Sequence, residues 1–147
     1  MKIFIDSSIL IEYIKGTKTE LLDKLLSSDC ELYSNSIVYS EFMFHYLAVM
    51  GEKSPLTLKV KKQIKVLTEK YNPIEIFSEI RILSIDNEIV LLSYEFMKKY
   101  NFLPNDALIL ATVKLCGISH FATFDENDFK NPCKIEKIKL LKSLDDL

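Results

Sequence analysis

Short apolar runs rich in β-branched and aromatic residues recur along the chain, and the stretches between them carry helical periodicity. The runs are residues 2–6 (KIFID), 30–34 (CELYS), 80–85 (IRILSI), 120–123 (HFAT) and 138–141 (IKLL). Runs this short, bounded by polar residues, read as buried strands. After the first run, Ser7 or Ser8 opens a helix with Ile9, Leu10 and Ile14 on its apolar side, and Gly16 ends it. Leu21, Leu22, Leu25 and Leu26 repeat at helical spacing over residues 19–27, and the Asn35-Ser36 pair caps a helix running to about residue 50. A single amphipathic helix is predicted over residues 56–70, with Lys59, Lys61, Lys62, Lys65 and Lys70 on it and Asn72-Pro73 after it. Asp86 caps a predicted helix over residues 87–100. Pro104 suits the first turn of a last helix, closed by Gly117, whose body ALILATV (107–113) is apolar all round and so buried on most sides. Strands separated by helices imply right-handed crossovers and an α/β fold with a mainly parallel sheet and helices on both faces. No repeat, low-complexity tract or linker divides the chain, so residues 1–147 read as a single domain.

At 147 residues a chain buries roughly 70% of its unfolded surface, enough for a core without staples. Cys30, Cys116 and Cys133 are too few and wrongly spaced for a disulfide framework or a structural zinc, which predicts a reducing, cytoplasmic setting. Asp6 interrupts the N-terminal apolar run, and Glu41, His45 and Lys114 interrupt the longest ones, so neither a signal peptide nor a membrane span is expected. The three glycines, Gly16, Gly51 and Gly117, lie far apart. No G-x-G-x-x-G or G-x-x-x-x-G-K-[ST] phosphate cradle can be written, nor a G-x-S-x-G nucleophile elbow. A net charge of -2 argues against a broad basic groove.

Four acids stand at the ends or in the middle of apolar segments: Asp6 after the first strand, Glu41 inside an apolar helix, Asp106 opening the buried helix and Asp125 after the fourth strand. In an open parallel sheet the carboxyl ends of the strands and the following helix N-termini share one edge, so these acids are expected to converge there. Each has a structural alternative: Asp6 or Asp125 as a cap, Asp106 as a complement to a helix dipole, Glu41 paired with a lysine. Taken together they are harder to explain structurally, because crowded carboxylates repel and stay ionised only beside a strong cation. Oxygen ligands without nearby His or Cys select Mg²⁺ or Mn²⁺ over zinc. Such ions assist phosphodiester hydrolysis.

The segments DSSIL (6–10), Ser40-Glu41, LPNDALILAT (103–112) and ATFDENDF (122–129) together resemble the PIN-domain ribonucleases, and within them the VapC-type toxins of prokaryotic toxin–antitoxin pairs. The likeness spans nearly the whole chain, and the third block is its most specific part. It implies a Rossmann-like three-layer α/β/α sandwich carrying a metal-dependent endoribonuclease, inhibited by a small antitoxin protein. By this resemblance Asp6, Glu41, Asp106 and Asp125 match the acidic quartet, with Asp6, Asp106 and Asp125 gathering one or two Mg²⁺ or Mn²⁺ ions and Glu41 positioning the attacking water. Ser8 matches the residue that orients the first Asp, and Thr123 the hydroxyl near the fourth acid. Asn105 falls on a variable position and stays outside the site. Ser7-Ser8 departs from the Thr-Asn or Thr-Ser usual after the first Asp. Asp128 lies one residue further on than the family's additional acid, which favours a capping role for it.

Other residues read as structural. His45 and His120 lack metal-ligand spacing, and the aromatic residues lie at core spacing with no stacking platform among them. Cys116 reads as a small buried hydrophobe, and Arg81, the only arginine, as a buried ion-pair partner. Ile9, Ile11 and Tyr13 exceed what one buried face needs, which suggests a homodimer or antitoxin groove. Two other classes compete: a phosphoryl-receiver domain, also doubly wound, and a PIN scaffold that binds without cutting. Setting the four acids aside leaves 17 acids against 19 bases, an excess of two positive charges, which weakens the objection to RNA. The lysine-rich helix is by default a solvated face, with RNA-backbone contact its minority reading.

Overall fold

The computed structural model describes residues 1–147. Five strands form its sheet: β1 (Lys2–Ile5), β2 (Glu31–Asn35), β3 (Ile80–Leu83), β4 (His120–Ala122) and β5 (Lys139–Leu141). All pairings are parallel, in the order β3-β2-β1-β4-β5. Phe4 of β1 stands opposite Tyr33 on one side and Phe121 on the other. The order matches the first five positions of the Rossmann sheet and differs from the 2-1-3-4-5 order of flavodoxin-like receivers, which removes the receiver alternative.

The chain steps from β1 through β2 to β3 in one direction, then returns to β4 and β5 in the other. Right-handed crossovers therefore place the two sets of helices on opposite faces of the sheet. The first set comprises α1 (Ser7–Ile14), α2 (Glu20–Leu26), α3 (Ser36–Gly51), α4 (Pro55–Val60) and α5 (Ile64–Tyr71). The second comprises α6 (Asn87–Tyr100), α7 (Pro104–Leu115) and α8 (Glu126–Glu136). The order in which the chain adds strands reverses between β1 and β4, and the crevice beyond their carboxyl ends is the usual ligand position in such folds.

Thirty buried residues form one contiguous core. Its aromatic spine runs Phe4–Phe121–Phe129–Phe102, with successive ring centroids 5.7, 4.9 and 5.4 Å apart. Helix α7 is buried at Ala107 and from Ile109 to Val113, as its all-round apolar sequence requires. The buried Asn35 joins the faces: its Oδ1 accepts from the backbone N–H of Ile37 and Val38 at 3.1 and 3.0 Å, while its Nδ2 donates to Thr112 Oγ1 at 2.9 Å. One side chain thus caps α3 and ties it to α7.

Four expectations change. The lysine-rich segment is two helices, since Lys62 takes a left-handed backbone conformation (φ 57°) that breaks it. Helix α8 follows Asp125 where only a turn was expected; its buried face is Phe129, Pro132 and Cys133, at helical spacing inside an otherwise polar sequence. Arg81 is exposed, paired with Glu31 at 3.3 Å on the surface. Ile9 is fully buried and cannot line a groove, whereas Ile11 and Tyr13 are only partly covered. No helix is long and apolar enough to cross a membrane.

Candidate active site

Asp6 follows β1 and caps α1, its Oδ2 accepting from the Ser8 backbone N–H at 3.4 Å. The same oxygen accepts from Ser8 Oγ and from Thr123 Oγ1, both at 2.7 Å. Each hydroxyl has one proton and spends it on Asp6, so their 3.2 Å approach to each other is proximity rather than a bond. Their lone pairs accept in turn from the β4–α8 loop: Ser8 Oγ from the Phe124 N–H and Thr123 Oγ1 from the Asp125 N–H, both at 3.0 Å. The two hydroxyls therefore lock the ends of β1 and β4 together around one carboxylate oxygen. Asp6 lines a cleft, its Oδ1 makes none of these bonds, and no buried side-chain oxygen lacks a partner. Oδ1 is thus the oxygen open to the cleft.

Glu41 arrives from α3, which Asn35 caps. Its Oε2 accepts from Ser7 Oγ and its Oε1 from Asn105 Nδ2, each at 2.8 Å. No lysine pairs with it. Asp106 sits in the first turn of α7 behind Pro104, where the helix dipole favours a carboxylate. Asp125 occupies the N-cap position of α8, lines the cleft and has Asp128 beside its carboxylate.

All four acids line one cleft of about 450 Å³, together with Ser7, Ser8, Asn105 and His45; none of its lining residues is Lys or Arg. Burial, reinforced by Glu41, raises the Asp6 pKa against the lowering effect of Ser8 and Thr123. Burial and then Glu41, Asp128, Asp6 and Asp125 push Asp106 up to about 6. Burial, Asp128 and Asp6 raise Asp125. Asp128 lies in the first turn of α8 beside Asp125, and its charge raises the pKa of both Asp106 and Asp125.

The residues placed together fit a divalent cation. The donors are hard carboxylate oxygens, no Lys or Arg lines the cleft to balance them, and burial, reinforced by neighbouring acids, raises the pKa of Asp6, Asp106 and Asp125. No three His, Cys, Asp or Glu side chains already enclose a point where an ion could sit. Mg²⁺ needs only one or two carboxylates because it keeps several of its waters.

Sequence reasoning placed Asp6, Glu41, Asp106 and Asp125 at one edge of the sheet, and the family resemblance added Ser8 and Thr123; all six lie at or beside this cleft. It missed Asn105 and Ser7, the two partners of Glu41. Their signal was adjacency: each directly neighbours a cleft acid at a helix N-terminus. It also set His45 aside, although His45 lies one turn beyond Glu41 and reaches the cleft. His120 does not; its Nδ1 lies 2.8 Å from Ser119 Oγ.

The chain is similar to known proteins along nearly its whole length. The PIN domain family matches residues 3–135. Ribonuclease VapC2 of Methanocaldococcus jannaschii is 36% identical over 141 residues, covering 95% of this chain and 94% of that protein. Ribonuclease VapC6 of the same organism is 34% identical over 151 residues, covering 95% and 96%. Among solved structures, VapBC2 from Rickettsia felis bound to a DNA fragment from its promoter superposes with a TM-score of 0.64 at 16% identity, covering 96% of this chain and 98% of that one. Strand order, the cleft where that order reverses and these matches lead to one conclusion: the chain belongs to the PIN-domain family, and its likeness within that family is to the VapC proteins.

Proposed function

We propose that this chain is a cytoplasmic, single-domain, Mg²⁺- or Mn²⁺-dependent endoribonuclease and the toxin of a toxin–antitoxin pair. The observation that carries the reading is the cleft itself: four carboxylates from four separate elements around a space with no Lys or Arg. The ribonuclease names of the two M. jannaschii relatives support the substrate class. The VapBC likeness supports an antitoxin partner.

Asp6, Asp106 and Asp125 are the residues to hold the cation, with Asp6 presenting Oδ1. When bound, the cation supplies a water of lowered pKa and neutralises charge on the phosphate under attack. Ser8 and Thr123 hold Asp6 in one orientation and, by hydrogen bonding to its charged form, oppose its protonation. Ser7 and Asn105 each occupy one oxygen of Glu41, so its carboxylate plane is fixed across the cleft from α7. Held in this way, Glu41 orients the attacking water toward the phosphodiester. A PIN scaffold that binds without cutting has no use for four carboxylates gathered around one cleft.

An apolar groove of about 320 Å³ lined by Tyr13, Ile14, Tyr46, Met50, Tyr71 and Ile76 is the surface that suits an antitoxin segment. Exposed Val90, Leu91 and Tyr94 on α6 suit a homodimer contact.

Incubation of total RNA with the purified chain, with and without Mg²⁺, tests the activity. The unaltered chain is expected to cut at discrete sites, EDTA to stop it and Asp106→Asn to abolish it. Undiminished Mg²⁺-dependent cutting by Asp106→Asn would sink the site assignment.

A further inference from the structure

A cleft walled by carboxylates and free of Lys and Arg has no fixed charge with which to hold a polyanion. An ion can neutralise the phosphate at the reacting centre, but the neighbouring nucleotides need another kind of contact. Among the residues lining the cleft only Phe44 and Phe129 are apolar, and Phe129 is buried in the core at 1% exposure. Phe44 is 58% exposed, although its neighbours along α3, Phe42 and Tyr46, are buried. It stands three residues after Glu41, which on a helix puts the two Cβ atoms about 5–6 Å apart on one face. The His45 ring meets it edge-on, with centroids 6.1 Å apart and planes at 88°. That packing steadies the phenyl ring while leaving most of it to solvent. A large apolar ring left uncovered beside an acidic cleft adds nothing to the core.

Resting on the ribonuclease reading above, we infer that Phe44 is a base-stacking residue: it receives the face of the nucleobase adjacent to the scissile phosphate and so holds the RNA strand at the cleft. Every base offers a π-face, and stacking requires no positive charge, so it suits a site whose own charge repels the backbone. Stacking also leaves a distinct signature. Contacts from lysine to phosphate weaken steeply with salt, whereas a stacking contribution does not.

The test uses the full-length chain, Mg²⁺ and a single-stranded RNA oligonucleotide spanning a cleavage site mapped from total RNA. Phe44→Ala is expected to raise KM by roughly 5- to 150-fold, the range for loss of one base–aromatic stack. Its kcat should hold, and the ratio of mutant to native KM should be the same at about 50 and about 200 mM salt. Phe44→Trp should restore KM and Phe44→Leu, apolar but without a π-face, should not. Melting temperature and Mn²⁺ binding should be unchanged in all three, since the ring is outside the core. If KM is unchanged in Phe44→Ala while the native chain cuts, stacking is overturned, the ribonuclease reading stands, and the ring falls to a protein partner. Equal rescue by Leu also overturns stacking, in favour of simple apolar cover. If the native chain cuts no RNA, both readings fall together.

Discussion

Asp106 shows how a single residue links the site to the stability of the molecule. Its carboxyl moves from 3.8 to about 6 on folding, by burial first and then by the charges of Glu41, Asp128, Asp6 and Asp125. The folded chain holds a proton that the unfolded chain releases, so this group's stabilisation is complete below 3.8 and is lost as pH rises through 6. A shift of roughly two units corresponds to at most ~3 kcal/mol, and for a half-exposed group solvent screening reduces this to ~1–2 kcal/mol. In EDTA, Asp106→Asn should therefore match the native chain near pH 4 and exceed it by ~1–2 kcal/mol near pH 8, read from urea melts. An equal difference at both pH values would show that the carboxyl does not titrate in this window. The importance of Asp106 was legible from its place after Leu103-Pro104-Asn105 at the start of an apolar helix. Its partners were less legible: Asn105 bonds Glu41 across 64 positions of sequence, and Ser7 bonds it across 34. Side-chain pairing at that separation depends on how α1, α3 and α7 meet.

Among the elements, α3 matters most, because it carries Glu41 and Phe44 and is held at its start by Asn35. Asn35→Ala removes the cap and the tie to Thr112, two buried interactions that together should cost ~2–3 kcal/mol in a denaturant melt. It should also lower cleavage at least about tenfold by letting Glu41 shift relative to Asp106. Asn35→Asp keeps the capping oxygen but loses the donor to Thr112, so it separates the two effects: a helix that still starts at Ser36, with reduced activity. The Asn35 cap, the Asp86 cap and the Pro104 start were legible because each is a local arrangement of backbone and neighbouring side chain; Asp86 Oδ1 indeed accepts from the Ile89 N–H at 3.0 Å. The break at Lys62 was not, since lysine gives no signal for a left-handed backbone and the segment keeps its lysine periodicity across it. Helix α8 was hidden for the opposite reason. Its three buried positions are thinly spread through a polar sequence, and Pro132 argues against a helix until Phe129 and Cys133 find the core.

For the whole molecule, the uncovered apolar residues are the feature with a consequence in solution. Val90, Leu91 and Tyr94 stand on one side of α6 at 49%, 69% and 61% exposure. The purified chain should sediment as a dimer at micromolar concentration and Leu91→Glu as a monomer; a native monomer at that concentration would remove the homodimer reading. The sequence by itself determined the alternation of strand and helix, hence a parallel sheet, and it marked Asp6, Glu41, Asp106 and Asp125 as acids out of place. Those properties are local: periodicity, capping chemistry and the cost of an acid in an apolar run act over a few residues. Only the tertiary structure decided that the strand order reverses between β1 and β4, that Asp6 turns Oδ1 to the cleft while Ser8 and Thr123 hold Oδ2, and that Phe44 stands uncovered beside Glu41. These depend on which elements meet and which faces they cover, and packing between residues distant in the chain settles that.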